Sequence, residues 1–146
     1  MKLKDYKRVH CIGIGGIGLS AIARYCHSNG AVVTGSDTSS SRITEDLAKE
    51  GIKVTTGQNQ EVITGSIDLV IYTIAVTDNN QELKAARAQG ITCLTYPEAL
   101  GALTKEYTTI AVSGTHGKTT TTAMIASMLK ACGKSPTVIV GSLLSD

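Results

Sequence analysis

Val9-His10-Cys11-Ile12-Gly13-Ile14-Gly15-Gly16-Ile17-Gly18-Leu19-Ser20 is the stretch that decides the fold. A short apolar run, Val9 to Ile14, enters a glycine-rich turn. Beyond the turn, Ile17, Leu19, Ile22, Ala23 and Cys26 recur at roughly helical spacing from Gly16 to Ser28. Strand, glycine turn and helix together make a G-x-G-x-x-G nucleotide-binding turn. Its glycines permit a tight bend and let the backbone approach a pyrophosphate, which the helix N-terminus then stabilises. Asn29-Gly30 stops the helix, Ala31 to Gly35 reads as a second strand, and Ser36-Asp37 lies at that strand's C-terminal end. An acid at this place can accept hydrogen bonds from ribose hydroxyls. Asp also favours turns and helix caps for local reasons. The turn by itself suits NAD, FAD or a nucleotide sugar.

Working outward, strand and helix patterns keep alternating, which predicts an α/β fold with a parallel sheet covered by helices. Thr38 to Ser41 is polar loop, and a helix is predicted from Arg42 to Glu50, ended by Gly51. Ile52 to Thr55 is a weak strand. Ile67 to Val76 is the most apolar strand, in a pattern suited to burial on both faces. Asn80 to Gln89 reads as a helix ended by Gly90, followed by a strand at Ile91–Thr95 and a helix at Pro97–Leu103. A domain boundary is placed near Thr104-Lys105-Glu106-Tyr107, giving a Rossmann-like domain over 1–106 and the start of a second domain over 107–146. In the latter, strands are predicted at Thr108–Ser113 and Thr137–Val140, flanking a helix at Lys118–Lys130.

That second region carries another phosphate loop, Gly114-Thr115-His116-Gly117-Lys118-Thr119-Thr120. Consecutive backbone N–H groups can curl around phosphates, Lys118 supplies a mobile positive charge for the β and γ oxygens, and Thr119 offers a hydroxyl to Mg²⁺. Val112 stands where the general G-x-x-x-x-G-K-T form has its first glycine. His116 can touch a phosphate or second substrate, or orient the loop. A dinucleotide domain has no use for a Lys-Thr ATP loop, so two different phosphate ligands are expected.

Bulk properties exclude several classes. A net charge of +2, with basic residues scattered, leaves no electrostatic footprint for nucleic acid, and with no Trp or Phe and five Tyr, stacking platforms for bases are scarce. No run of 18 apolar residues offers a membrane span, and the charged start Met1 to Arg8 is not a signal peptide, so a cytoplasmic protein is expected. Cys11, Cys26, Cys93 and Cys132 are far apart and read as buried reduced thiols.

The run Gly114 to Ile125, G-T-H-G-K-T-T-T-T-A-M-I, closely resembles the ATP loop of the Mur ligases, which build the peptide of the bacterial cell-wall precursor. The opening Val9 to Ser20, Gly35-Ser36-Asp37 and the order of elements to Gly141 are similar too. The resemblance implies an N-terminal domain for the UDP part of a sugar nucleotide, a central domain for ATP and Mg²⁺, and a further C-terminal domain. By position it assigns Gly13, Gly15, Gly16, Ile17, Gly18, Asp37 and Thr73 to the UDP-sugar. It assigns Gly114, Thr115, His116, Gly117, Lys118, Thr119 and Thr120 to ATP, with Thr119 on the metal and Lys118 and His116 as catalytic candidates. The implied substrates are UDP-N-acetylmuramate, L-alanine and ATP, joined through an acyl phosphate, and this stretch alone is expected to be inactive. A tripeptide-recycling relative and a non-catalytic nucleotide-binding domain are the alternatives. The chain departs from the family pattern at Gln58, where a His is usual, at Tyr72-Thr73-Ile74 for Ser-Ser-Ala, and at Asn80-Gln81-Glu82 for N-P-E.

Overall fold

The structure, a computed structural model, describes residues 2–141. It divides into two compact units, Met1–Tyr107 and Thr108–Asp146. In the first, strands β1 (Arg8–Ile12), β2 (Val32–Asp37), β3 (Lys53–Thr56), β4 (Leu69–Tyr72) and β5 (Thr92–Thr95) form one sheet in the order β3-β2-β1-β4-β5. Every pairing is parallel, and β1 at the centre sets Ile12 opposite both Ser36 and Tyr72. Helices α1 (Ile17–Ser28), α2 (Arg42–Lys49) and α3 (Gln81–Ala88) make crossovers between strands, and with α4 (Tyr96–Thr104), which follows β5, they cover the sheet. The parallel α/β class read from the sequence is the class observed.

Both sides of β1 are covered, so Val9, His10, Cys11 and Ile12 are all buried. Helix α1 packs beside α2 and α4, while α3 packs beside a 3-10 turn at Gln60–Val62. Ile12, Ile63, Val70, Leu83 and Ala86 form one core cluster. Full burial of each large aliphatic side chain contributes about 1.5–3 kcal/mol. Helix starts are local: Ser41 and Thr44 exchange side-chain and backbone bonds at α2, as Thr95 and Glu98 do at α4, and Asn80 Oδ1 accepts the Leu83 N–H at 2.9 Å. Helices α1, α2 and α3 stop at Gly30, Gly51 and Gly90. All three glycines are left-handed, and the next residue's N–H reaches back into the last turn.

Three expectations need correction. Strand β4 is shorter than the predicted Ile67–Val76, because the Ile67 N–H closes a turn onto Thr64 and the Val76 N–H another onto Thr73. In the second unit, helix α5 (Lys118–Ala131) forms, but Thr108–Ser113 and Thr137–Val140 do not register as strands. A strand exists through its ladder to a neighbour, and neither segment has one among the described residues. Finally, Cys11 and Cys26 are buried, but Cys93 is half-buried, and Cys132, beyond the last turn of α5, is exposed. Burial pushes the thiols of Cys11 and Cys26 up, the latter to about 11. Helix α5 ends in the same way as the others, with Gly133 left-handed and the Lys134 N–H on the Leu129 carbonyl at 3.0 Å. No helix among the described residues is long and apolar enough to cross a membrane.

Candidate functional site

The chain leaves β1 toward β2 on one side and later returns to place β4 on the other. This reversal opens a crevice at the C-terminal ends of β1 and β4, the place where open parallel sheets bind ligands. Gly13 bends there in the left-handed region with φ 82°. A Cβ on Gly13 would stand 2.8 Å from Thr73 Cγ2, so the turn after β1 and the residue after β4 touch. Gly16 caps α1 after its own N–H has closed onto the Gly13 carbonyl. The N–H groups of Ile17, Gly18 and Leu19 have no carbonyl within the helix to receive them. Gly18 lies flush against Tyr96, whose ring Cζ would be 2.6 Å from an added Cβ. Gly13, Gly15, Gly16, Ile17, Gly18 and Thr73 thus stand together around one crevice.

Gly35-Ser36-Asp37 clamps this turn from β2. The Ser36 carbonyl accepts the N–H groups of both Gly13 (2.8 Å) and Ile14 (3.0 Å). Asp37 Oδ2 accepts the Gly15 N–H at 2.7 Å, and Oδ1 accepts the Thr38 N–H at 2.8 Å. Its carboxylate therefore braces the glycine turn directly, a task the sequence reading did not foresee. Gly35 lets Ile14 pack against the β2 backbone.

Beneath the clamp lies a polar cluster that no local signal announced. Glu82, in the first turn of α3, is fully buried. Its Oε2 accepts from Ser36 Oγ at 2.5 Å and meets His10 Nε2 at 3.4 Å, while Oε1 accepts the Asn59 N–H at 2.9 Å. His10 Nδ1 pairs with Thr34 Oγ1 at 2.8 Å. Burial alone would push the Glu82 carboxyl up, yet the hydrogen bonds from His10, Ser36 and the Asn59 N–H outweigh it and hold the group below the ordinary glutamate value. The sequence reading gave His10 no role and noted Glu82 only as the end of Asn80-Gln81-Glu82.

Two departures from the family pattern also find places. Gln58 Oε1 accepts the Gln81 N–H at 3.4 Å, at the start of α3. Tyr72 leans onto the Leu83 core, with its hydroxyl 3.5 Å from Arg87 Nη2. Its added bulk is thereby taken up beside α3.

In the second unit, Gly117 caps α5 in the left-handed region with φ 76°. The N–H groups of Lys118, Thr119 and Thr120 begin the helix without intrahelical partners, and the Thr121 N–H is the first to close, onto Gly117. Lys118 Nζ folds over the loop and donates to the carbonyls of Gly114 (2.5 Å) and Thr115 (3.2 Å). Gly114, Thr115, His116, Thr119 and Thr120 are exposed, and a Cβ on Gly117 would meet nothing within 4 Å. Open donors, one mobile ammonium and the Thr119 hydroxyl fit a polyphosphate with its Mg²⁺. No group of three His, Cys, Asp or Glu among the described residues could cage a metal.

Residues 8–108 match the family described as Mur ligase family, catalytic domain. The chain belongs to the Mur ligase family. That match spans the crevice and ends before Gly114. Similarity to individual Mur ligases extends further. The chain is 49% identical over 139 residues to the UDP-N-acetylmuramate–L-alanine ligase of Agathobacter rectalis, covering 94% of this chain and 30% of that protein. It is 46% identical to the enzyme of that name from Chlorobium phaeobacteroides, over all of this chain and 31% of that one. The crystal structure of the UDP-N-acetylmuramate–alanine ligase of Thermotoga maritima superposes with a TM-score of 0.87 at 40% identity, over 94% of this chain and 32% of that one. A murein peptide ligase from Psychrobacter arcticus superposes at 0.79 with 29% identity, over 87% of this chain and 27% of that one. This Mur ligase chain therefore spans about 30% of the length of the curated relatives it matches.

Proposed function

We propose that this chain is the N-terminal portion of an ATP-dependent ligase that joins L-alanine to UDP-N-acetylmuramate during cytoplasmic synthesis of the cell-wall precursor. The observation that carries the reading is the glycine turn at the sheet's point of reversal, braced by Ser36 and Asp37 and faced by Thr73. The free N–H groups of Ile17 and Gly18 bind the diphosphate of the sugar nucleotide, with Gly13, Gly15 and Gly16 allowing its close approach. Asp37 holds the turn in that shape and lies toward the uridine end.

In the second unit, Gly114 to Thr120 hold ATP, Lys118 moves from its loop carbonyls to the β and γ oxygens, and Thr119 meets Mg²⁺. Bound Mg²⁺ supplies charge neutralisation at the transferring phosphoryl group. The reaction class is activation of the substrate carboxylate as an acyl phosphate, followed by displacement by the amine of L-alanine. The chain's part is positioning and charge, which phosphoryl transfer needs more than covalent help. Because these residues correspond to about 30% of the relatives' length, we infer that they bind the sugar nucleotide without turning it over. ADP release dependent on UDP-N-acetylmuramate and L-alanine from this chain in pure form would overturn that part.

Calorimetric titration with UDP-N-acetylmuramate, with NADH and ATP-Mg²⁺ in parallel, tests the whole. Saturable binding of the sugar nucleotide is expected, and it is lost in Gly15→Val, whose Cβ would lie 2.8 Å from Asp37 Oδ2. Binding of NADH with silence toward the sugar nucleotide would reject the proposal.

A further inference from the structure

The Glu82 cluster does more than the fold of α3 requires. Leu83 and Ala86 already seat α3 on Ile12, Val70 and Ile63. An apolar residue at position 82 would complete that packing, and burying a carboxylate is unfavourable unless its oxygens are well bonded. Here both oxygens are bonded, and to parts of the chain with a common neighbour. Ser36 carries on its carbonyl the N–H groups of Gly13 and Ile14. Asn59 follows Gln58, the residue that touches the start of α3 from the segment after β3. His10, on β1, fixes the third side and is fixed in turn by Thr34 on β2.

We propose that Glu82 is a positioning residue for the sugar-nucleotide crevice: its buried carboxylate sets the turn after β1 through Ser36 and the segment after β3 through the Asn59 N–H. The identity of the ligand rests on the reading above; the holding of the two segments does not. Glu82 itself touches no ligand. It lies two hydrogen bonds behind the glycine turn, by way of the Ser36 hydroxyl and carbonyl, and it joins β1, β2, α3 and the segment after β3 at a single point.

The test compares Glu82→Gln, Ser36→Ala and the double variant. Gln keeps the size, so the domain still folds, but it offers the Asn59 N–H a weaker, neutral carbonyl in place of a charged oxygen and cannot accept from Ser36 and His10 on the other. Affinity for UDP-N-acetylmuramate is expected to fall about tenfold in Glu82→Gln. Amide exchange in the free chain is expected to rise by about the same factor at Gly13, Ile14 and Asn59, while Val70 and Ile71 in β4 stay as protected as before. Because Glu82→Gln already removes the charged acceptor of the Ser36 hydroxyl, the double variant should lose no more than Glu82→Gln alone. Unchanged exchange at the three amides, a uniform rise that includes β4, or additive losses would overturn the proposal. If the wild-type chain does not bind the sugar nucleotide, the ligand assignment fails, and the exchange pattern alone decides whether Glu82 holds the two segments.

Discussion

Replacing Gly35 by Ala tests how tightly β2 and the glycine turn are fitted. A Cβ at this position would stand 2.5 Å from Ile14 Cδ1, 2.9 Å from Ile14 Cβ and 2.8 Å from the Cys11 carbonyl oxygen. The carbonyl belongs to the central strand and cannot withdraw without breaking its ladder. Ile14 is fully buried and has nowhere open to turn. Overpacking by one methyl group costs roughly 1–3 kcal/mol, and contact with backbone puts Gly35→Ala near 3. The unfolded chain loses freedom on the same change, which offsets about 0.5–1 kcal/mol. Gly35 is not in the left-handed region, so no backbone strain is added. The net expectation is destabilisation by about 2 kcal/mol, or a fall in Tm of roughly 8–16 °C for a domain of this size. All five tyrosines lie within Met1–Tyr107 and the chain has no Trp, so tyrosine fluorescence in urea reports on the first unit alone. Its midpoint should fall with the slope unchanged. Displacing Ile14 also pulls its N–H from the Ser36 carbonyl, so affinity for UDP-N-acetylmuramate should drop further than stability predicts. A loss below about 0.5 kcal/mol would refute the reasoning, because it would mean that Ile14 gives way freely.

Gly101→Ala is expected to go the other way. Gly101 lies within α4 with nothing within 4 Å of an added Cβ, so helix propensity should raise urea stability by about 0.5–1 kcal/mol. Lys118→Ala should leave the tyrosine-detected transition where it is and weaken ATP-Mg²⁺ binding at least about tenfold by calorimetry. Glu82 predicts an acid dependence. Its carboxyl is held below the ordinary value, so its contribution is complete above the unfolded pKa and is lost as pH falls through the folded one. Urea midpoints measured down through this acid range should therefore fall more steeply for the wild type than for Glu82→Gln; parallel profiles would contradict the assignment.

Much of the first unit was legible because its signals are local. The turn after β1 needs glycines at fixed offsets, and the helix stops at Gly30, Gly51 and Gly90 need left-handed residues. Helix starts at Ser41 and Thr95 are equally self-contained. What stayed hidden depends on partners distant in sequence. His10 sits in an apolar run, and nothing nearby shows that Glu82, 72 positions later, will meet it. Tyr96 against Gly18 is hidden for the same reason. The apolar pattern of Thr108–Ser113 and Thr137–Val140 shows that they can pair but not what they pair with, and the described residues offer no neighbour. Asp37 was read as a ligand group because it ends β2, whereas its first partner is the Gly15 N–H.

The reversal of direction at β1 bears on how this protein comes off the ribosome. One wall of the crevice, Gly13 to Gly18, is synthesised early, and β2 and β3 can dock beside β1 as soon as they emerge. The opposing wall, Thr73 at the end of β4, arrives 60 residues after Gly13, and Glu82 later still. A nascent chain stalled after β3 therefore has a glycine turn but no grip. On the proposed function, ligand capture would mark that the second half of the sheet has closed on the first, and the sugar nucleotide would pull a slowly completing domain toward its finished form by mass action.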